Sequence, residues 1–320
     1  MVVFGFVWVG QSPPGLLVDF DYIWAGGRAV WQGQDPYAAI QSLVEQGRLN
    51  APYYYPATAA VLMAPFGALS RHLAVSLFTA LGMTLLAFSV TGYRRWIVMS
   101  APAIHAVLVG GWSPYLTAAA GLPWLGFIWA GKPNIGLALF AAWSSRWALF
   151  GGLVVLVLTF LLLPTWPISW LHALQDTPHY QAPVMRPGGF LLLLAFLRWR
   201  QPEARLLGVL ALVPHTTNLI EQLPLLLIPQ TQRRFAAYMG LTWVAGLCAR
   251  FVMDYTGVPQ DAAEGAREVL DRLWPYVLFL VYLPALYLVL RSRNPRTPGE
   301  HPSHGIPHAN ELGSQSGTRG

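Results

Sequence analysis

The chain has 320 residues, of which 55% are hydrophobic and only 11% charged, with a mean hydropathy of +0.44. A soluble domain carries about 25% charged residues, so this composition excludes an ordinary solvated surface and points to a lipid-embedded one. The net charge of +6 does not imply nucleic acid, because the arginines fall in short clusters beside apolar runs, at 94–95, 198–205, 233–234 and 291–296, as at the cytoplasmic ends of membrane helices.

In chain order, residues 1–10 form an apolar stretch half a span long, without the basic start of a signal peptide. A polar segment, 11–56, follows and is expected outside the bilayer. Asp19 or Asp21 can cap a helix in which Trp24, Arg28 and Trp31 share one side, a face suited to the headgroup layer. Gly33 and Asp35-Pro36 predict a turn, and residues 37–46 a second short helix. The apolar piece 57–69 is short and contains Pro65, which favours a re-entrant segment and leaves the local topology open.

Membrane helices are predicted near 73–92, 97–112, 114–130, 133–145, 147–163, 189–197, 206–228, 235–253 and 273–290. The expected fold is an all-α, polytopic helical bundle of about eight to ten membrane segments, some short or broken. Prolines at 102, 114, 123, 133, 214 and 224 interrupt the runs, and broken helices at membrane depth are tolerated where they line a polar interior. The segments 164–188 and 254–272, the latter rich in acids, are placed outside. The tail 291–320 is placed in the cytoplasm and, rich in Pro, Gly, Ser and His, is expected to be disordered. Its His301, His304 and His308 lack further ligands on a rigid element, which disfavours a metal site. The single cysteine, Cys248, excludes an intrachain disulfide and reads as a small buried hydrophobe.

Few residues in the apolar bulk can carry chemistry. Asp19 and Asp21 are either caps or functional carboxylates, and an Asp-x-Asp pair could also ligate a divalent metal with a phosphate, although no cofactor is required. Lys132 is the single lysine of the chain, and residues 96–131 before it contain no Asp, Glu, Lys or Arg. A snorkelling lysine and a phosphate ligand both fit it. His215 and Glu221 lie in an apolar context where ionisable groups are expensive, which favours function over core hydrogen bonding. Arg186 beside Pro187-Gly188-Gly189 reads first as a solvated loop charge and second as a phosphate ligand.

The stretch DFDYIWAGGRAVWQGQDPY, followed by YYYPATAAVLMAPFGAL, resembles the first-loop signature of glycosyltransferase family 87, polyprenol-phosphate-dependent mannosyltransferase-like proteins of the GT-C superfamily. GWSPYLTAAAGLPWLGFIWAGKPNIGLAL at 111–139 and VPHTTNLIEQLPLLLIP at 213–229 are similar to two later blocks of that family, with Trp112 standing where its Gln is expected. The resemblance implies a catalytic membrane domain over 1–290 in a multi-pass plasma-membrane protein. That enzyme would move a hexose, expected to be mannose, from a polyprenyl-phosphate donor to a glycolipid or glycan acceptor at the external face. It also implies Asp19 as the general base, with Asp21, Arg28, Lys132, Arg186, His215 and Glu221 binding substrate. Donor, acceptor and membrane lipids are then the partners, and nucleic acid is not. A non-catalytic transporter or lipid-binding protein would use the same broken helices, but no internal duplication is visible and Asp19, Asp21 and Asp35 gather in one loop.

Overall fold

The computed structural model describes residues 18–49, 51–175, 180–255 and 263–292. The apolar start at 1–10 and the tail beyond 292, with its histidines, lie outside the described residues. Within them every regular element is helical. Three helices are long and apolar enough to cross a membrane, Arg71–Ser89, Gln232–Val252 and Asp271–Arg291; a fourth span results if the bent pair Arg146–Leu162 and Trp166–Gln175 is counted as one. The protein is an all-α membrane bundle.

The first two helices of the described residues are short, α1 (Val18–Trp31) and α2 (Pro36–Glu45). Gly33, with φ +71°, makes the turn between them, and Asp35 caps α2 by accepting from the amides of Tyr37 at 2.7 Å and Ala38 at 3.3 Å. Asp19 and Asp21 lie within the first described turn of α1 instead of capping it. α3 (Ala57–Gly67) packs along α1. The contact depends on glycine: a Cβ on Gly27 would lie 2.5 Å from the Met63 carbonyl oxygen, and one on Gly67 would lie 2.4 Å from the Arg28 amide nitrogen. Backbone-to-backbone approach of this kind sets where α1 sits, and with it the position of Asp19.

α4 (Arg71–Ser89) follows, and then the expected helix 97–112 is divided into a 3₁₀ segment, Gly92–Met99, and α5 (Ala101–Val109). The expected helix 114–130 is likewise two pieces, α6 (Ser113–Gly121) and a 3₁₀ segment, Pro123–Gly131, before α7 (Pro133–Ala142). Pro123 and Pro133 lack an amide proton and start new elements at their own positions. Lys132 lies at the second of these breaks. α8 (Arg146–Leu162) and α9 (Trp166–Gln175) meet at 94°, so the region expected as loop 164–188 carries a helix. Many large side chains of α8 face outward, including Leu149, Phe150, Leu153 and Leu161, as a lipid-facing helix requires.

A 3₁₀ segment Gly189–Arg198 leads to α10 (Pro202–Leu212). The expected helix 206–228 is broken: α10 ends at Leu212, residues 213–218 are irregular, and a 3₁₀ segment runs Leu219–Leu227. The break follows from Pro214, and Pro224 keeps the second piece from becoming an α-helix. His215 falls in the irregular stretch and Glu221 in the first turn of the 3₁₀ segment. α11 (Gln232–Tyr255) and α12 (Ala263–Val277) follow, and α12 continues through a π segment, Leu278–Tyr282, into α13 (Leu283–Arg291). Half-buried Cys248 lies on α11.

Candidate functional site

Two broken stretches of the chain meet at one polar point inside the apolar bundle. Lys132, between its 3₁₀ segment and α7, sets its Nζ 2.6 Å from Oε1 of Glu221, with the two side chains 12% and 6% exposed. The ammonium also lies over the Tyr55 ring, 5.7 Å from its centroid. Lys132 therefore does not reach out to the solvent. Taking two charges out of water costs several kcal/mol per ion, which a mere tether between segments would not justify.

Asp19, half-buried at the start of α1, lies within electrostatic reach of both Lys132 and Glu221. Burial raises its carboxyl above the ordinary value; the Lys132 ammonium opposes that shift and the Glu221 carboxylate adds to it. Tyr55 and Tyr180 sit in the same field, each sensing Asp19, Lys132 and Glu221. Neither tyrosine stood out in the sequence. Tyr55 belongs to the quoted YYYP run, but a tyrosine cluster beside a proline more often signals packing.

His215 is buried, with Nδ1 2.7 Å from the Val213 carbonyl and Nε2 2.9 Å from the Tyr282 hydroxyl. A carbonyl can only accept, so Nδ1 carries a proton, and in the neutral ring Nε2 accepts from Tyr282. Both ring nitrogens are thus engaged, and His215 joins the broken stretch to the π segment. Arg186 is buried at 6% exposure and is not a solvated loop charge. It donates to Asp271 Oδ1 at 2.9 Å, lies over the Trp274 ring at 5.6 Å, and is within the field of His215 and Tyr282.

Two expected site residues stand apart. Asp21 accepts from Arg71 Nε at 2.6 Å and Nη2 at 3.0 Å, a bidentate pair that ties α1 to the first turn of α4. Arg28 is exposed, with its guanidinium 5.4 Å from the Trp24 ring centroid. Positions 19 and 21 are about 200° apart around an α-helix, so the two carboxylates of the Asp-x-Asp pair leave opposite sides of α1. Among the described residues no three His, Cys, Asp or Glu side chains group so as to hold a metal ion.

Near Lys132–Glu221, several buried polar atoms have no hydrogen-bond partner among the described residues. Trp112 Nε1, Ser113 Oγ and Thr117 Oγ1, at the start of α6 and along it, are buried and unpaired, and so are Thr217 Oγ1, Glu221 Oε2 and Gln222 Oε1. α6 and the Leu219–Leu227 segment pack on each other. A buried polar group left unpaired costs about 1–3 kcal/mol, so these atoms call for a hydrogen-bonding partner, water or a polar ligand. Ser113 and Thr117, one helical turn apart, lie on the same side of α6.

No protein-family model matches the chain, and no solved structure matches it. Over 90 residues it is 39% identical to the polyprenol-phosphate-mannose-dependent alpha-(1-2)-phosphatidylinositol mannoside mannosyltransferase of Mycolicibacterium smegmatis. That similarity covers 27% of this chain and 20% of the relative's length.

Proposed function

We propose that the protein is a membrane glycosyltransferase that moves a mannosyl or similar hexosyl group from a polyprenyl-phosphate donor to a glycolipid acceptor. The observation that carries this reading is the convergence of Asp19, at the start of α1, with the buried Lys132–Glu221 pair. The partial likeness to a mannosyltransferase supports the donor class, and so does the resemblance of residues 18–56 to family 87.

In the proposed reaction an acceptor hydroxyl attacks the anomeric carbon of the donor sugar. The new C–O bond forms as the bond from that carbon to the phosphate oxygen breaks, and the polyprenyl phosphate leaves with the electron pair. Asp19 takes the hydroxyl proton. A carboxyl raised by burial is a better base in its ionised form than a solvated one, which is the property general-base catalysis needs. The leaving group is a stable phosphate and needs no second carboxylic acid to protonate it.

Lys132 has three N–H donors, and Glu221 engages one of them. The others are available for the donor phosphate as charge develops on it, and such fixed cations stabilise developing negative charge in a dry site. Glu221 holds the ammonium in place with Oε1 and keeps Oε2 for a sugar hydroxyl. His215 and Arg186 are positioning residues in this reading: both ring nitrogens of His215 are engaged, by Val213 and Tyr282, and Arg186 is tied to Asp271. The donor lipid would lie along the apolar exterior of the bundle, with segments 11–56, 164–188 and 254–272 at the external face of the plasma membrane and the tail in the cytoplasm.

The experiment is initial-rate sugar transfer by the purified protein in lipid, with polyprenyl-phosphate mannose and a panel of glycolipid acceptors. Asp19→Asn preserves shape but cannot accept a proton, and the rate is expected to fall ~10²- to 10⁴-fold. Asp21→Asn, which weakens the tie to Arg71, should lose less. Full rate in Asp19→Asn at matched folded concentration would reject the assignment of the base.

A further inference from the structure

A cleft of about 830 Å³ lies between α1, α2 and the start of α4, away from the Asp19 cluster. Its cationic lining is Arg28, Arg48 and Arg71, against one carboxylate, Asp35. Asp35 is occupied in capping α2, and Arg71 is paired with Asp21. Arg28 and Arg48 are exposed, and neither has a carboxylate partner among the described residues. Gln32, Gln34, Ser42 and Ser70 supply further polar groups along the same walls.

Two features identify what such a cleft would hold. Ser70 and Arg71 open α4, a helix able to cross the membrane, so the cleft is level with one end of a span, in the headgroup layer. The ligand always present at that level is a phospholipid phosphate, and arginine recognises phosphate through its planar fork of donors. Trp24 is the sole aromatic ring in the lining, and Arg28 already lies over it. No cage is therefore left for the quaternary ammonium of a choline headgroup, and the surplus positive charge favours a lipid with net negative charge.

We propose that this cleft binds the phosphate of an anionic phospholipid between Arg28 and Arg48, at a site distinct from the one assigned to sugar transfer. Arg28 is nine residues from Asp19, about two and a half turns and roughly 13 Å along α1, which puts the two on opposite sides of the helix. A lipid in the cleft is thus an anchor that seats the α1–α2 pair against the membrane and holds α1 in place, and it is not the acceptor. The inference rests on the membrane placement of α4 and stands apart from the proposed reaction.

The test is retention of short-chain phosphatidylglycerol against phosphatidylcholine of the same chains, read by native mass spectrometry of the purified full chain released from detergent. The unaltered protein should keep phosphatidylglycerol preferentially. Arg28→Gln and Arg48→Gln should each weaken retention roughly tenfold or more, the weight of a hydrogen bond to a charged group, and the double variant should lose the preference. Both side chains are exposed, and an unchanged unfolding midpoint confirms that the variants fold. Equal retention of the two lipids by the unaltered protein, or undiminished phosphatidylglycerol in the double variant, would overturn the proposal. Inorganic phosphate competing as well as the lipid would assign the cleft to a free anion and overturn the lipid assignment. Asp19→Asn should retain phosphatidylglycerol fully; loss there would place the lipid in the sugar-transfer site.

Discussion

Replacing Lys132 by Met removes one partner of the buried ion pair and leaves the Glu221 carboxylate uncompensated. At the observed 2.6 Å separation, and with an effective dielectric constant of about 20, the attraction between unit charges is about 6 kcal/mol. Desolvation of both ions offsets most of it, so the pair itself adds little to stability, whereas breaking it from one side costs about 3–5 kcal/mol. Lys132→Met should therefore be strongly destabilised. The double variant Lys132→Met/Glu221→Gln, which leaves no buried charge, should recover most of that loss. Sugar transfer should not recover with it, because the cation proposed to meet the donor phosphate is still missing. The assay pairs unfolding in detergent with initial rates on folded protein. If the double variant is as unstable as the single one, the two side chains are not energetically paired as the geometry requires. If it regains full rate as well as stability, Lys132 is structural and the phosphate role fails.

The acid limb of the pH–rate profile should lie above the ordinary aspartate value of about 3.9, because a base must be ionised and burial raises Asp19. Lys132→Met should move that limb to higher pH and Glu221→Gln to lower pH, while a limb unmoved by either change would separate Asp19 from the pair. The same shift makes the folded state bind the Asp19 proton more tightly than the unfolded chain. Its contribution to stability therefore falls as pH rises from the ordinary value to the raised one, which Asp19→Asn should abolish in unfolding measured across acid pH. Gly27→Ala should cost about 1–3 kcal/mol as an overpacked contact, because its Cβ would meet the Met63 backbone. Moving α1 in this way should lower transfer without touching a polar group, and an unchanged midpoint and rate would show that the α1–α3 contact is looser than described. Gln34→Cys in a Cys248→Ala background should react with an impermeant reagent from outside; labelling from the cytoplasmic side alone would reverse the proposed orientation.

Much of the architecture is written in composition and periodicity, because membrane insertion depends on the apolarity of single segments. The runs at 73–92, 147–163, 235–253 and 273–290 correspond to helices at Arg71–Ser89, Arg146–Leu162 and Gln232–Tyr255 and to the span Asp271–Arg291. Local punctuation was equally legible: Gly33 and Asp35-Pro36 make the turn and cap between α1 and α2. Where two short elements follow one another, as at 114–130 and 206–228, apolarity reads straight through the break, and only the loss of backbone hydrogen bonding at the prolines separates them.

The identity of the polar partners is another matter. Asp19, Lys132 and Glu221 are visible as rare charges in an apolar chain, because each costs energy wherever it is buried. That Glu221, 89 residues away, neutralises Lys132, that Arg71 takes Asp21 out of the same cluster, and that Tyr282 holds His215 are decided by how the helices pack. Side chains two residues apart on α1 face opposite neighbours, so one carboxylate enters the polar interior and the other ties down a membrane helix. A one-dimensional pattern records which residues can bear charge. Which charges meet depends on distances between segments that only tertiary packing sets, because electrostatic and hydrogen-bond energies fall off over a few ångströms.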